Sequence, residues 1–322
     1  MDKKRLTFIL MFVLVIMWGL DYSVAKNALE VFRPLNLMFF KYLGGLIVIT
    51  VIKNIAERKF TVRKKDIIFF VLCSLTGQVL YYFCEYTAME YIPVALITII
   101  LSFVPIVSIL IERVFFKTKL SVRIIAGLVI CVAGVALVIG ADFRSLFQGR
   151  ILGYLLAFGA VISWNMYNFI TAKISQTYTE FTMAFNQLFC TVLISLPYAV
   201  AVMPPAEAFT PQIILSLAYL GVGSAGTGYL ICVMGVKYLG PTIASLFSNF
   251  LPVTSTFFGW LILGQSIDGI QIAGGVIVIL SACYVIIRMC RKTPSLSYWD
   301  IRHIHRFTQV IEDGQIYTCI SF

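Results

Sequence analysis

Apolar residues run along this chain in long, nearly unbroken stretches, divided at short intervals by prolines, glycines and basic clusters. A hydrocarbon core about 30 Å thick needs about 20 helical residues per crossing, and stretches of that length fall at roughly 6–28, 35–53, 67–91, 93–115, 121–141, 151–171, 180–202, 211–235, 240–263 and 267–287. Pro34, Pro93, Pro204, Pro205, Pro211 and Pro241 lie at or between them, where a missing amide hydrogen does least harm. The pattern predicts an all-α integral membrane protein with ten transmembrane helices.

The chain also repeats itself. A shift of 146 residues places Trp18 on Trp164 and Phe39 on Phe185; a shift of 147 places Tyr82 on Tyr229, Tyr91 on Tyr238, Ser108 on Ser255 and Ala126-Gly127 on Ala273-Gly274. Phe103-Val104-Pro105 falls on Phe250-Leu251-Pro252 in the same register. Such self-similarity divides the chain into a first repeat, 1–145, a second, 146–290, and a tail, 291–322. Five helices per copy is an odd number, so the second copy enters the membrane from the opposite side and the two form inverted repeats.

Composition agrees with this reading. Apolar residues make up 60% of the chain and charged residues 12%, and the mean hydropathy of +0.93 excludes a soluble domain. The net charge of +10 would suggest nucleic acid, but the basic residues sit between apolar runs. With the N-terminus cytoplasmic, the clusters at Lys3–Arg5, 53–65 and 113–123, together with Lys173, Lys237, Arg288, Arg291 and Lys292, face inside, leaving only Lys26, Arg33, Arg144 and Arg150 outside. Both termini are therefore expected in the cytoplasm, with lipid and not nucleic acid as the macromolecular surroundings. Eight scattered cysteines without a C-x-x-C pair indicate neither a disulfide framework nor a zinc site. The first apolar run continues to Val24 without a cleavage pattern and reads as a retained helix. Short loops and no targeting signal point to a prokaryotic cytoplasmic membrane.

Trp18-Gly19 with Lys26, the basic Lys41 in the second helix, and the two F-x-P helices together resemble the drug/metabolite transporter superfamily, in its EamA-like ten-helix branch. The resemblance covers about residues 6–288, judged by repeat register. It departs from the family where Lys41 replaces the usual arginine, and where Lys117-Thr118 and Gly264-Gln265 replace the Gly-Glu pair that follows each proline-containing helix. It implies export of amino acids, related metabolites or drugs, with no cofactor.

Candidate chemistry concentrates in three places. Asp21, Lys41 and Glu85 all count to about 10 Å below the outer surface at 1.5 Å per residue. Charges within a span are costly unless paired or hydrated, so this trio is a candidate site. Lys41 neutralises one carboxylate and leaves the other to bind a proton or a substrate ammonium; the alternative is an ion pair in a hydrated vestibule. Their counterparts in the second repeat, Tyr167, Gln187 and Cys232, are uncharged. Pro105 and Pro252 fall near mid-helix and deprive the carbonyls of Leu101 and Ser248 of their helical donors, which suits a hinge or a coordinating site as well as a packing kink. Trp18 and Trp164 count to mid-bilayer and are expected to point inward with bonded indole N–H groups. Tyr82, Asn165 and Ser248 complete the expected wall of a central cavity.

Other features read as packing. Gly221, Gly223 and Gly226 spell G-x-G-x-x-G, but no strand precedes them, so they predict a close helix face rather than a dinucleotide site. Gly127, Gly134, Gly274 and Gly275 read likewise, and such faces leave room for a homodimer. Glu112-Arg113 reads as a cytoplasmic anchor. Both histidines, His303 and His305, lie in the tail, where an H-x-H pair is a poor metal signal. With no histidine in a span, no H-E-x-x-H and no paired aspartates, an intramembrane enzyme has little to work with. A secondary transporter working by alternating access, with Asp21 or Glu85 coupling it to protons, is the favoured class; an uncoupled facilitator and a membrane scaffold or receptor are the alternatives.

Overall fold

The computed structural model describes residues 2–57, 62–88, 90–92, 94–116, 121–139, 150–264 and 266–292. Arg58, Lys59, Pro93, Lys117, Thr118, Lys119, Arg144, Gln265, the side chain of Lys26 and the 293–322 tail with its histidines lie outside the described residues. Among the described residues the regular structure is entirely helical. It forms α1 (Lys3–Leu29), α2 (Pro34–Ala56), α3 (64–88), α4 (94–116), α5 (Val122–Ile139), α6 (Ile151–Ile174), α7 (Glu180–Ala201), α8 (Pro211–Leu239), α9 (241–263) and α10 (Gly269–Lys292).

Among the described residues nine of these are long and apolar enough to cross a membrane. The exception is α9, which the sequence reads as continuous. A 3-10 turn at Phe247–Phe250 divides it into helices of 6 and 13 residues. Pro252 is the physical reason: it has no N–H for the Ser248 carbonyl, which instead accepts from the Leu251 N–H in a tighter turn. The carbonyl expected to be free is thus bonded. In α4 the same tightening occurs at 102–103, where Ser102 N–H reaches Ile99 O at 3.1 Å and Phe103 N–H reaches Ile100 O at 3.0 Å.

Helix starts repeat as the residues do. A shift of 147 carries 64 to 211, 94 to 241 and 122 to 269, and a shift of 146 carries 34 to 180. The irregularities recur too. A π-helical stretch at Leu75–Leu80 in α3 has its counterpart at Tyr219–Gly228 in α8, and the break in α4 corresponds to the 3-10 turn of α9.

Packing crosses between the halves: α1 lies against α8 and α9, α2 against α7 and α8, α3 and α4 against α6, and α5 against α10. Small residues set these distances. A Cβ on Gly44 of α2 would come within 2.9 Å of the Gly221 Cα, and one on Gly19 within 2.2 Å of Thr254 Oγ1. Gly221 and Gly226 of the G-x-G-x-x-G string therefore face α2, as helix-packing residues. Gly127 and Gly134 abut Val285 and Ile277, and Gly274 abuts Leu137. These glycines pack against helices of the same chain. Glu112 also departs from its reading as an anchor: it accepts from the Thr242 hydroxyl, which lies 2.9 Å from Ser108 Oγ, joining the end of α4 to the start of α9. Large apolar side chains such as Ile9, Leu155, Leu215 and Leu280 are exposed around the outside, a surface suited to lipid.

Candidate functional site

Between the halves lies a cavity of about 660 Å³, within the range of small-molecule sites. Leu29, Pro34 and Glu90 form its mouth, on the face opposite residue 3, and Trp18, Trp164, Ser248 and Pro252 line its depth. Of the residues singled out in the sequence, Asp21, Lys41, Glu85, Trp18, Trp164, Tyr82, Ser248 and Pro252 line it. Asn165 and Pro105 do not. Asn165 is fully buried, and its amide donates to Val104 O at 3.2 Å and Val161 O at 2.9 Å, pinning α6 to the proline turn of α4. Pro105 is buried beside that turn.

The three charges reach one chamber from α1, α2 and α3. Lys41 Nζ donates to Asp21 Oδ2 at 2.7 Å, and the ammonium lies 5.9 Å from the Tyr82 ring centre. Among the described residues Asp21 Oδ1 is buried without a hydrogen-bond partner. Glu85 is 3% exposed and accepts a long bond, 3.5 Å, from the Tyr81 hydroxyl; among the described residues it forms no ion pair. Two carboxylates and one ammonium leave the chamber one formal negative charge, and Glu90 adds another at the mouth.

Aromatic side chains make the walls and floor. The Trp18 and Trp164 rings meet edge to face with centres 6.0 Å apart, Trp164 lies 5.2 Å from Tyr81, and Tyr229 touches both Trp18 at 6.4 Å and Tyr42 at 5.8 Å. Trp18 is held by its indole N–H, which donates to Ser224 O at 3.3 Å. Ser224 lies in the π-helical stretch of α8, where the wider turn leaves carbonyls off the usual ladder and available to side chains. Gln78, in the matching stretch of α3, bonds the Tyr229 hydroxyl, with its amide oriented so that the oxygen accepts. Tyr42, Tyr81, Tyr229, Ser224 and Glu90 were not singled out from the sequence: a tyrosine in an apolar span reads as packing, and Glu90 reads as loop.

The matching positions of the second repeat are buried and uncharged. Tyr167, the counterpart of Asp21, donates to Gln187 Oε1 at 3.3 Å; Gln187, the counterpart of Lys41, donates to Thr171 Oγ1 at 3.1 Å; Cys232, the counterpart of Glu85, is buried among them. Beneath the tryptophans lies a void of about 10 Å³. The face carrying residue 3 is tied by polar bonds. Glu180 accepts from Lys237 Nζ at 2.9 Å and from the Tyr238 hydroxyl at 3.0 Å, while Asp66 accepts from Tyr178 Oη and Arg63 Nε, each at 2.6 Å.

A profile of the EamA-like transporter family matches residues 5–140 and again 151–287, most of the chain. The chain belongs to the EamA-like transporter family. Relatives of this EamA-like chain include the uncharacterized transporter YoaV of Bacillus subtilis, 21% identical over 82% of this chain and 90% of its own length. A probable amino-acid metabolite efflux pump of Salmonella typhimurium is 24% identical over 83% of this chain and 90% of its own. Protein PecM of Dickeya dadantii is 24% identical over 84% and 88%. A crystal structure superposes on the EamA-like fold with a TM-score of 0.72 at 17% identity, covering 89% of this chain and 98% of the other. The cavity is therefore that of a multi-pass membrane transporter.

Proposed function

We propose that this transporter exports small, amine-bearing metabolites, amino acids or related compounds and drugs among them, from the cytoplasm by alternating access with proton exchange at Glu85. One observation carries the reading: an aromatic chamber of about 660 Å³ holds one carboxylate bonded to Lys41 and a second, Glu85, that among the described residues forms no direct ion pair. An ammonium group satisfies such a chamber twice, by charge pairing with Glu85 and by cation–π contact with the tyrosine and tryptophan faces. A proton on Glu85 competes with that ammonium for the same oxygens, which exchanges one for the other across a cycle.

The two halves supply the cycle. Inverted repeats exchange roles when they rock, so the side that is open and the side that is tied change places. The basic clusters orient residue 3 and the tied face toward the cytoplasm, so the conformation described here is open to the outside. The naming of one relative as a probable amino-acid metabolite efflux pump supports the direction and the substrate class.

Flux of labelled amino acids, nucleosides, sugars and a cationic dye into liposomes, with and without an imposed pH gradient, tests this. Amines are expected to move saturably and faster with the gradient, and Glu85→Gln to abolish the acceleration. Gradient-independent flux would make the protein a facilitator and leave Glu85 a structural residue. Silence across the panel from folded protein would favour a receptor or scaffold.

A further inference from the structure

The tied face has a specific lock. Glu180 is the first residue of α7, and it bonds Lys237 at 2.9 Å and Tyr238 at 3.0 Å near the end of α8, tying two helices of the second repeat together at the face that carries residue 3. The repeat carries each partner to the opposite face. Lys237 and Tyr238 map, at a shift of 147, onto Glu90 and Tyr91; the start of α7 maps onto the start of α2, where Pro34 occupies the first helical position and Arg33 stands immediately before it. The acid and base have changed places: Glu180 with Lys237 on one side, Arg33 with Glu90 on the other.

We propose that Arg33 and Glu90 form the outer latch of the transporter, a charge-reversed counterpart of the Glu180–Lys237 lock that closes when that lock opens. Pro34 and Glu90 both line the cavity mouth, so the helix start that carries Arg33 and the loop that carries Glu90 face each other across the entrance. Arg33 and Glu90 are both exposed, and among the described residues neither has an ion-pair partner in this open state. Where the two repeats exchange conformations between states, a contact made within one repeat in one state has its counterpart within the other repeat in the other state. The latch rests on the alternating-access reading above. A separation now and a contact later is the expected behaviour of the pair.

The test needs no substrate. A Ser102→Cys reporter in the cavity wall is labelled with a membrane-impermeant maleimide, from outside in intact cells and from the cytoplasmic side in inside-out vesicles, with the chain lacking the reporter giving the background of the native cysteines. The reporter is carried by otherwise unaltered protein, Arg33→Glu, Glu90→Arg and the double swap. Each single change sets like charges across the mouth and is expected to lower the labelling rate from the cytoplasmic side by about two- to fivefold, the range an exposed ion pair supports. The double swap is expected to restore it. Neutral single variants, or a double variant no better than the singles, would overturn the latch while leaving alternating access intact. A reporter never labelled from the cytoplasmic side would overturn alternating access and the latch with it. Because both side chains are exposed, unchanged thermal unfolding of all four proteins is the expected control.

Discussion

Lys41 holds an ammonium within the second span, and Asp21 is what makes that position tolerable. The pair is 2.7 Å apart and both side chains are largely buried, so removing one member strands the other. Asp21→Asn is expected to lower stability by about 3 kcal/mol, read by chemical unfolding in detergent, whereas Asp21→Asn combined with Lys41→Met recovers most of the loss. Glu85 differs because its described bond is one long contact to Tyr81. Glu85→Gln is therefore expected to cost much less stability than Asp21→Asn while changing the response of transport to pH. On the proposed mechanism the two carboxylates of the chamber serve different ends, one holding a neighbouring helix and the other meeting the cargo.

At the scale of the helices, close approach governs. The α2–α8 crossing places Gly44 against Gly221 backbone to backbone, so Gly44→Val is expected to cost about 1–3 kcal/mol through overpacking, visible as a lower unfolding midpoint in detergent. Gly275, whose added Cβ would meet nothing nearer than 3.7 Å, is expected to accept alanine without loss. The helices and their repeat were legible in the sequence because hydrophobic runs and prolines record them directly. The break in α9 was not, since Pro252 reads as a kink until the neighbouring carbonyls choose their donors. The π-helical stretches of α3 and α8 have no compositional mark. Asn165 was assigned to the cavity because polarity within a span points inward, but polarity does not say against which neighbour. Successive residues turn about 100° around a helix, so Trp164 and Asn165 cannot share a wall; the tryptophan faces the chamber and the amide faces α4. The charge trio was legible because helical rise fixes depth, whereas Tyr42, Tyr81 and Tyr229 were hidden among the tyrosines that pack.

Considered whole, the molecule is two repeats packed closely against each other. Each major helix contact, α1 with α9, α2 with α8 and α5 with α10, joins one half to the other. Residues 1–145 expressed alone are expected to be degraded or aggregated, and co-expression with 146–322 as a separate chain is expected to give a complex that co-purifies through a tag on either piece. The repeats share a backbone plan but not a chemistry: the first supplies the charges of the chamber between them, and the matching positions of the second form a buried, uncharged cluster of Tyr167, Gln187 and Cys232. A symmetric scaffold with an asymmetric lining can rock evenly while binding its cargo from one half.

The chamber floor has an optical consequence. Of the four tryptophans, Trp18 and Trp164 meet there, Trp260 is half exposed on the apolar exterior, and Trp299 belongs to the tail. Indole emission reports the polarity and the quenchers around each ring, so a molecule arriving on the floor is expected to alter the near-ultraviolet fluorescence of Trp18 and Trp164, while lipids carrying bromine atoms are expected to quench Trp260 more than that pair. The unlabelled protein thus carries its own spectroscopic gauge of occupancy, by which a library of unmodified compounds can be titrated before any one of them is known to be moved.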